Sequence, residues 1–242
     1  MKTLCETVVK NSENTVVKTH IHEKSNERTG QTDHKNRRNI MEINCETEAV
    51  RQMAREILVA ARTAPKGKGL DSIVTALAEP EDIRKLAYVM REISVSEGSF
   101  FARDASNIEN SDAVVFIGLK DSEPLGLNCG GCGFSSCAEF VRFRESAEAE
   151  SEKSQADGGV KKTGTPFKGP VCLIKAIDLG IALGSAAAKA KDMCLDSRVM
   201  YTAGAAACSC GLLDAQAAIA LPLKVSGKNI YFDRKKPESS GK

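Results

Sequence analysis

From Thr47 onward, apolar residues recur three and four positions apart: Val50, Met53, Ala54, Ile57, Leu58 and Ala61, with Arg51, Arg55 and Glu56 between them. That spacing lays one apolar stripe along a helix, and Pro65 and Gly67 predict its end. Residues 72–78, Ser-Ile-Val-Thr-Ala-Leu-Ala, predict a strand. Pro80 then marks a helix start, and Ile83, Leu86, Ala87, Met90 and Ile93 form its apolar face over 81–93. The nearly continuous apolar run from Ala113 to Leu119 predicts a strand covered on both faces. Residues 138–146 predict a short helix. Residues 147–168, charged and rich in Gly and Ser, predict an irregular segment. A helix is expected from Cys172 through Ala190, where Gly180, Ala182, Gly184, Ser185 and Ala186 to Ala188 let another helix or a flat cofactor approach closely. Strands are expected at 198–203 and 217–224, followed by a turn at Ser226-Gly227-Lys228-Asn229.

The flanks lack such periodicity. Residues 1–43 are polar and predict a mobile extension, and 236–242 predict an exposed tail. The extension carries His20, His22 and His34, which are all the histidines of the chain. A His-based acid/base site or a Ser-His-Asp triad within 44–235 is thereby excluded.

Composition narrows the classes further. Over 242 residues, 42% hydrophobic and 27% charged content describe a soluble globule. A net charge of +2 gives no ground for nucleic-acid or membrane binding. With no Trp and few other aromatics, stacking platforms for single strands are not expected. The apolar stretch Met200 to Leu223 contains Asp214 and Gln216 and reads as packed core, not as a membrane span. Nine cysteines without a secretory signal point to reduced thiols in a reducing cytoplasm, not to a disulfide framework.

The cysteines are not evenly spread. Cys129, Cys132 and Cys137 lie in one glycine-rich stretch, Asn128-Cys-Gly-Gly-Cys-Gly-Phe-Ser-Ser-Cys137, and Cys172 follows after 34 further residues. The spacing C-x2-C-x4-C lets thiolates turn around one centre. A distant fourth ligand costs little, because loop closure grows only slowly with length. Four thiolates predict a [4Fe–4S] cluster on Cys129, Cys132, Cys137 and Cys172. Structural zinc is the rival, although four-cysteine zinc sites usually carry two C-x2-C pairs and no second pair exists here. Cys194, Cys208 and Cys210 read as buried structural cysteines. Cys5 and Cys45 lie in or near the extension.

The trio and the Phe140 that follows it resemble the cluster-binding segment of small four-iron domains in corrinoid iron–sulfur proteins and electron-transport subunits. A longer resemblance runs around it. Ala60-Ala61-Arg62-Thr63-Ala64-Pro65 with its glycine loop, the strand at 72–78 and the helix at 81–93 resemble the opening of the nitroreductase-like flavoproteins. The strand from Asp112 and the helix from Asp178 continue the same order. The whole chain resembles a family of uncharacterised prokaryotic ferredoxin-domain proteins. The resemblance implies an α+β fold over 44–235: a mixed β-sheet flanked by helices, nitroreductase-like, with an inserted iron–sulfur loop at 126–172. It also implies a homodimer, for which the small-residue helix at 176–190 is the expected interface. The family's Arg-Arg-Ser-x-Arg flavin element has no counterpart before Thr47 beyond Arg37-Arg38, and Gly69 and Asp71 stand where it places Asn and Gln.

Arg62, Lys66, Lys68 and Gly69 form a basic, flexible segment that could take the phosphate of FMN. The same cations could simply offset the negative end of the preceding helix. Lys228 and Arg234 could add charge there. Asp178 reads as an acid near the start of its helix, favoured by the dipole. Together these readings predict an iron–sulfur redox protein that relays electrons between the cluster and a flavin or small substrate, with a possible electron-donor protein as partner. The alternative is a non-enzymatic protein in which the cluster or zinc is a staple or an oxygen sensor.

Overall fold

The computed structural model describes residues 43–120, 123–156 and 166–233. The expected extension over 1–43 lies outside these but for its last residue, with Cys5 and the three histidines. The expected tail and Arg234 also lie outside them.

Helix α1 spans Glu46–Thr63 and buries Val50, Ala54, Ile57 and Ala61, one stripe of the predicted face. Glu46 and Glu48 in its first turn and Arg62 in its last complement the helix dipole. Strand β1, Ile73–Leu77, leads into α2, Pro80–Glu97. Pro80 sits in the first turn, and the Glu79 and Asp82 carboxylates cap each other's backbone N–H groups. Helix α3, Phe100–Glu109, returns the chain to β2, Ala113–Leu119. Beyond β2 come α4, Cys137–Ala156, and α5, Leu173–Asp192. The two-residue β3, Asp196–Ser197, α6, Tyr201–Ser209, and β4, Ala217–Lys224, complete the fold.

The strands form one sheet in the order β1-β2-β4-β3. Alternate β2 residues feed two cores. Ala113, Val115, Ile117 and Leu119 pack with α1 and α5, whereas Val114 and Phe116 pack with α2, α3 and α6. All seven residues of β2 are buried, as its continuous apolar run predicts. The fold is α+β, a sheet sandwiched between helices.

Four expectations need correction. The sheet is antiparallel at every described pairing, not mixed. The reason is α3, which the apolar pattern did not reveal. One helix between β1 and β2 would return the chain for a parallel strand; two helices packed as a hairpin reverse it once more. The strand expected at 198–203 is instead β3 at 196–197, a single bridge from Met200 to Ala220, and the start of α6. Six consecutive α6 residues, Thr202 to Ala207, are buried, so the helix has no polar face to betray it. A Cβ on Gly204 would fall 2.0 Å from the Ala218 carbonyl oxygen, so this helix lies directly on β4. Finally, the short helix expected at 138–146 runs on to Ala156, through a stretch read as irregular. None of the described helices is long and apolar enough to cross a membrane.

Candidate metal centre

The cysteine stretch is built on its own local supports. Ser136 ends the loop, and its Oγ accepts the Glu139 N–H at 3.2 Å. The Glu139 carboxylate accepts from the Ser135 N–H at 2.9 Å and from its hydroxyl at 2.6 Å. Those bonds from Ser135 hold the Glu139 carboxyl below the usual range. Together they fix the N-terminus of α4 and place Cys137 as its first residue. Asn128 closes the other end: Cys137 N–H donates to Asn128 Oδ1 at 2.8 Å, and Asn128 N–H donates to Cys137 Sγ at 3.4 Å. Beneath the loop, Phe134 meets Phe140 edge-on at 5.6 Å and Phe143 at 5.3 Å. The Arg144 guanidinium stands 6.0 Å from the Phe140 ring centre and pairs with Glu123 at 2.5 Å.

Cys172 arrives from a separate arm, at the N-cap of α5, and is buried. Gln216, at the start of β4, anchors that arm: its carbonyl accepts Lys168 N–H at 2.8 Å and its Nε2 donates to Pro170 O at 3.0 Å. The two parts meet at Gly131. A Cβ there would lie 2.3 Å from Leu173 Cδ2 and 3.2 Å from Leu173 Cβ. Only glycine lets the Cys129–Cys132 turn settle against the residue that follows Cys172. Cys129 is exposed, whereas Cys132 and Cys137 are half-buried. Among the described residues, no three His, Cys, Asp or Glu side chains are gathered as a closed metal-binding group. The donor set and the glycine cradle nonetheless fit an iron–sulfur cluster: the sulfurs are of the right chemical type, and the loop and arm that carry them are in contact.

The basic segment is tied into the surrounding chain. Arg62 donates to Asp71 at 2.5 Å, to Ile73 O at 2.6 Å and to Thr75 Oγ1 at 3.3 Å. Lys66 Nζ bonds the Ala61 carbonyl at 3.2 Å and that of Arg62, the last turn of α1. Lys68 Nζ donates to Leu125 O at 2.8 Å. Gly69 is exposed, with φ 68°. Each of the three cationic heads thus carries at least one hydrogen bond within the chain. Burial pushes the Asp71 carboxyl up, but the bonds from Ile73 and Arg62 outweigh it and hold it low. Lys228 pairs with Asp233 at 2.6 Å. Asp178 is the sixth residue of α5, beyond the first turn, so its expected role at the helix start does not hold. It is buried; one oxygen accepts Gly67 N–H at 2.9 Å, and Oδ2 has no partner among the described residues.

The remaining cysteines divide. Cys210 is buried and Cys208 partly so, but Cys194 is exposed, against expectation, because it sits in the turn after α5 with φ 59°. Burial pushes the Cys208 thiol up to about 11. Two side chains that the sequence reading passed over stand out. Asn128 clasps Cys137, and Lys175 is buried on α5, donating to Leu70 O at 2.8 Å. Neither carries a sequence signature. The Ser136-x-x-Glu139 spacing, by contrast, is a capping signal that marks where α4 begins.

Comparison with known proteins gives three kinds of likeness. Residues 168–234 match a family described as "uncharacterized protein containing a ferredoxin domain". That stretch includes Cys172 and excludes the trio. An uncharacterized protein of Archaeoglobus fulgidus is 38% identical over 187 residues, 77% of this chain and 92% of the relative. Solved structures with similar folds include an NADPH:FMN oxidoreductase from Vibrio harveyi, at 12% identity and TM-score 0.43, covering 77% of this chain and 64% of that one. A BluB-like flavoprotein from Clostridium difficile has 15% identity and TM-score 0.42, covering 83% of this chain and 88% of that one.

Proposed function

The chain belongs to a family of proteins described as containing a ferredoxin domain, and on that ground we propose that it is an iron–sulfur redox protein. Cys129, Cys132, Cys137 and Cys172 hold a [4Fe–4S] cluster in this reading, and such a cluster supplies one-electron transfer. The observation that carries it is the contact at Gly131, which sets the three-cysteine loop against the arm of the fourth. Cys129 lies on the surface side, where an electron-donor protein can approach. Hydrogen bonds within the loop and the packing of Phe134, Phe140 and Phe143 brace it. Two copies of the chain pair through the exposed face of α5.

The test is anaerobic purification, iron, sulfide and flavin analysis, and a visible spectrum recorded before and after dithionite. A brown protein with about four irons per chain that bleaches reversibly is the expected result. Cys132→Ser is expected to abolish loading; undiminished iron in that variant refutes the ligand assignment. A cluster that dithionite cannot reduce, in a protein without flavin, favours the staple or sensor. A flavin released on denaturation names the electron acceptor.

A further inference from the structure

The cysteine loop is closed by a residue that is not a cysteine. Asn128 precedes Cys129 and has a left-handed backbone, φ 48°. Asparagine tolerates that conformation better than most residues, because its short polar side chain bonds locally. Here it makes two bonds to one residue, Cys137. The backbone N–H of Asn128 reaches the sulfur at 3.4 Å, and its Oδ1 takes the Cys137 N–H at 2.8 Å. Among the described residues, the sulfurs of Cys129 and Cys132 accept no such bond. Cys137 is also the first residue of α4, at the positive end of the helix.

We propose that Asn128 is a positioning residue for the cluster, which sets Cys137 as a ligand before iron arrives and raises the reduction potential. This rests on the reading of Cys129, Cys132, Cys137 and Cys172 as ligands. The two effects follow from the two bonds. The side-chain bond fixes the backbone of Cys137, so less chain freedom is lost when the thiolate closes on iron. The backbone bond donates to the sulfur. An electron added to a cluster increases the charge on its ligand sulfurs, so that bond strengthens on reduction and favours the reduced form.

Asn128→Gly separates the parts. Glycine keeps the left-handed backbone and the N–H but removes the acceptor oxygen, so the clasp loosens without strain. Both proteins are reconstituted anaerobically with ferrous iron and sulfide, challenged with a chelator, and titrated with dithionite as the one-electron donor. The side-chain bond also holds the Asn128 N–H on the Cys137 sulfur, so the variant is expected to hold its cluster roughly ten-fold less tightly, the usual effect of losing an outer-shell partner, and, as the freed N–H drifts from the sulfur, to have a more negative midpoint potential. Asn128→Asp keeps an acceptor oxygen and is expected to restore retention. A merely structural role would leave the potential unchanged. If Asn128→Gly loses the cluster altogether while circular dichroism shows it folded, retention in Asn128→Asp supports the clasp and loss in both overturns it. An Asn128→Gly protein with unaltered retention and potential overturns the inference and leaves the cluster reading standing. A parent protein that takes up no iron overturns both.

Discussion

Gly131 is the residue on which the candidate site turns, and its role can be tested as a pair. In Gly131→Ala the new methyl meets Leu173, whose Cδ2 lies 2.3 Å from it and whose Cβ lies 3.2 Å away. Moving the end of Leu173 relieves only the first contact, so the loop must lift from α5. Cluster loading is expected to fall in Gly131→Ala and to recover in part in Gly131→Ala with Leu173→Ala, which removes the 2.3 Å contact and leaves only the tight one at Leu173 Cβ. Equal loading in the single and double variants would show that the contact does not place Cys172. The other cysteines give a chemical readout. The thiolate is the nucleophile, and burial holds the Cys208 thiol at about 11, far above neutral pH. Iodoacetamide at pH 8 is expected to modify the exposed Cys45 and Cys194 and to spare Cys208 until the protein is unfolded. At this scale the sequence showed residue types but not their partners. The cysteine trio was legible because its spacing is itself the chemistry. The engagement of Arg62, Lys66 and Lys68 was not, because nothing local announces that Asp71, the end of α1 and Leu125 lie within their reach.

At the scale of elements, the long periodic segments were legible and the links between them were not. Helices α1, α2 and α5 and strands β1, β2 and β4 all follow from period and punctuation. Helix α3 was missed because it is short and mixes Arg103, Asp104 and Asn107 among its apolar residues; Asp104 is itself buried. That carboxylate bonds Thr202 at 2.9 Å and Arg198 at 3.1 Å, joining α3 to α6. Its apparent polarity thus belongs to the inside of the protein, which is what misleads a reading by pattern. Asp104→Ala is expected to destabilise the fold by about 1.5–3 kcal/mol, the range for hydrogen bonds to a charged group, measured by urea unfolding; a loss within error would detach this network from stability. The α2–α3 hairpin also carries an acid-sensitive pair. Arg91 bonds Glu109 at 2.7 Å, and that bond, with the attraction of opposite charges, holds the Glu109 carboxyl below its usual range against desolvation. A carboxyl lowered on folding stabilises fully above its unfolded value, about 4.3, and that contribution is lost as pH falls through the folded value. The melting temperature of Glu109→Gln is therefore expected to lie below that of the parent at pH 7 and to converge with it near pH 3. A constant gap would assign the loss to packing.

At the scale of the whole molecule, the question is what covers the open side of α5. Leu173, Ile177 and Ile181 recur every four residues on that side and are all exposed. Gly180, Gly184 and Ala188 are exposed beside and beyond them. Residues at that spacing form a single strip along the helix, and three large aliphatic side chains in one strip are costly to leave in water. The opposite face of the same helix is committed to the core, through Ala182, Leu183, Ala186 and Ala190. A second copy supplies a matching strip by symmetry, and small residues let two such helices approach closely. The strip begins at Leu173, the residue that packs on Gly131, so pairing would bury the ground beside the cysteine loop and slow the escape of iron. Two results should therefore move together. Light scattering at micromolar protein is expected to give a dimer, and Ile177→Glu, which places a charge in the middle of the strip, is expected to give a monomer. In that monomer the candidate ligands are untouched, yet cluster loss to a chelator or to air is expected to quicken. A parent chain that is monomeric with its cluster intact removes the dimer from the account. A monomeric Ile177→Glu protein that keeps iron as long as its parent confines the role of the dimer to assembly and leaves protection of the cluster to the loop and α5 alone.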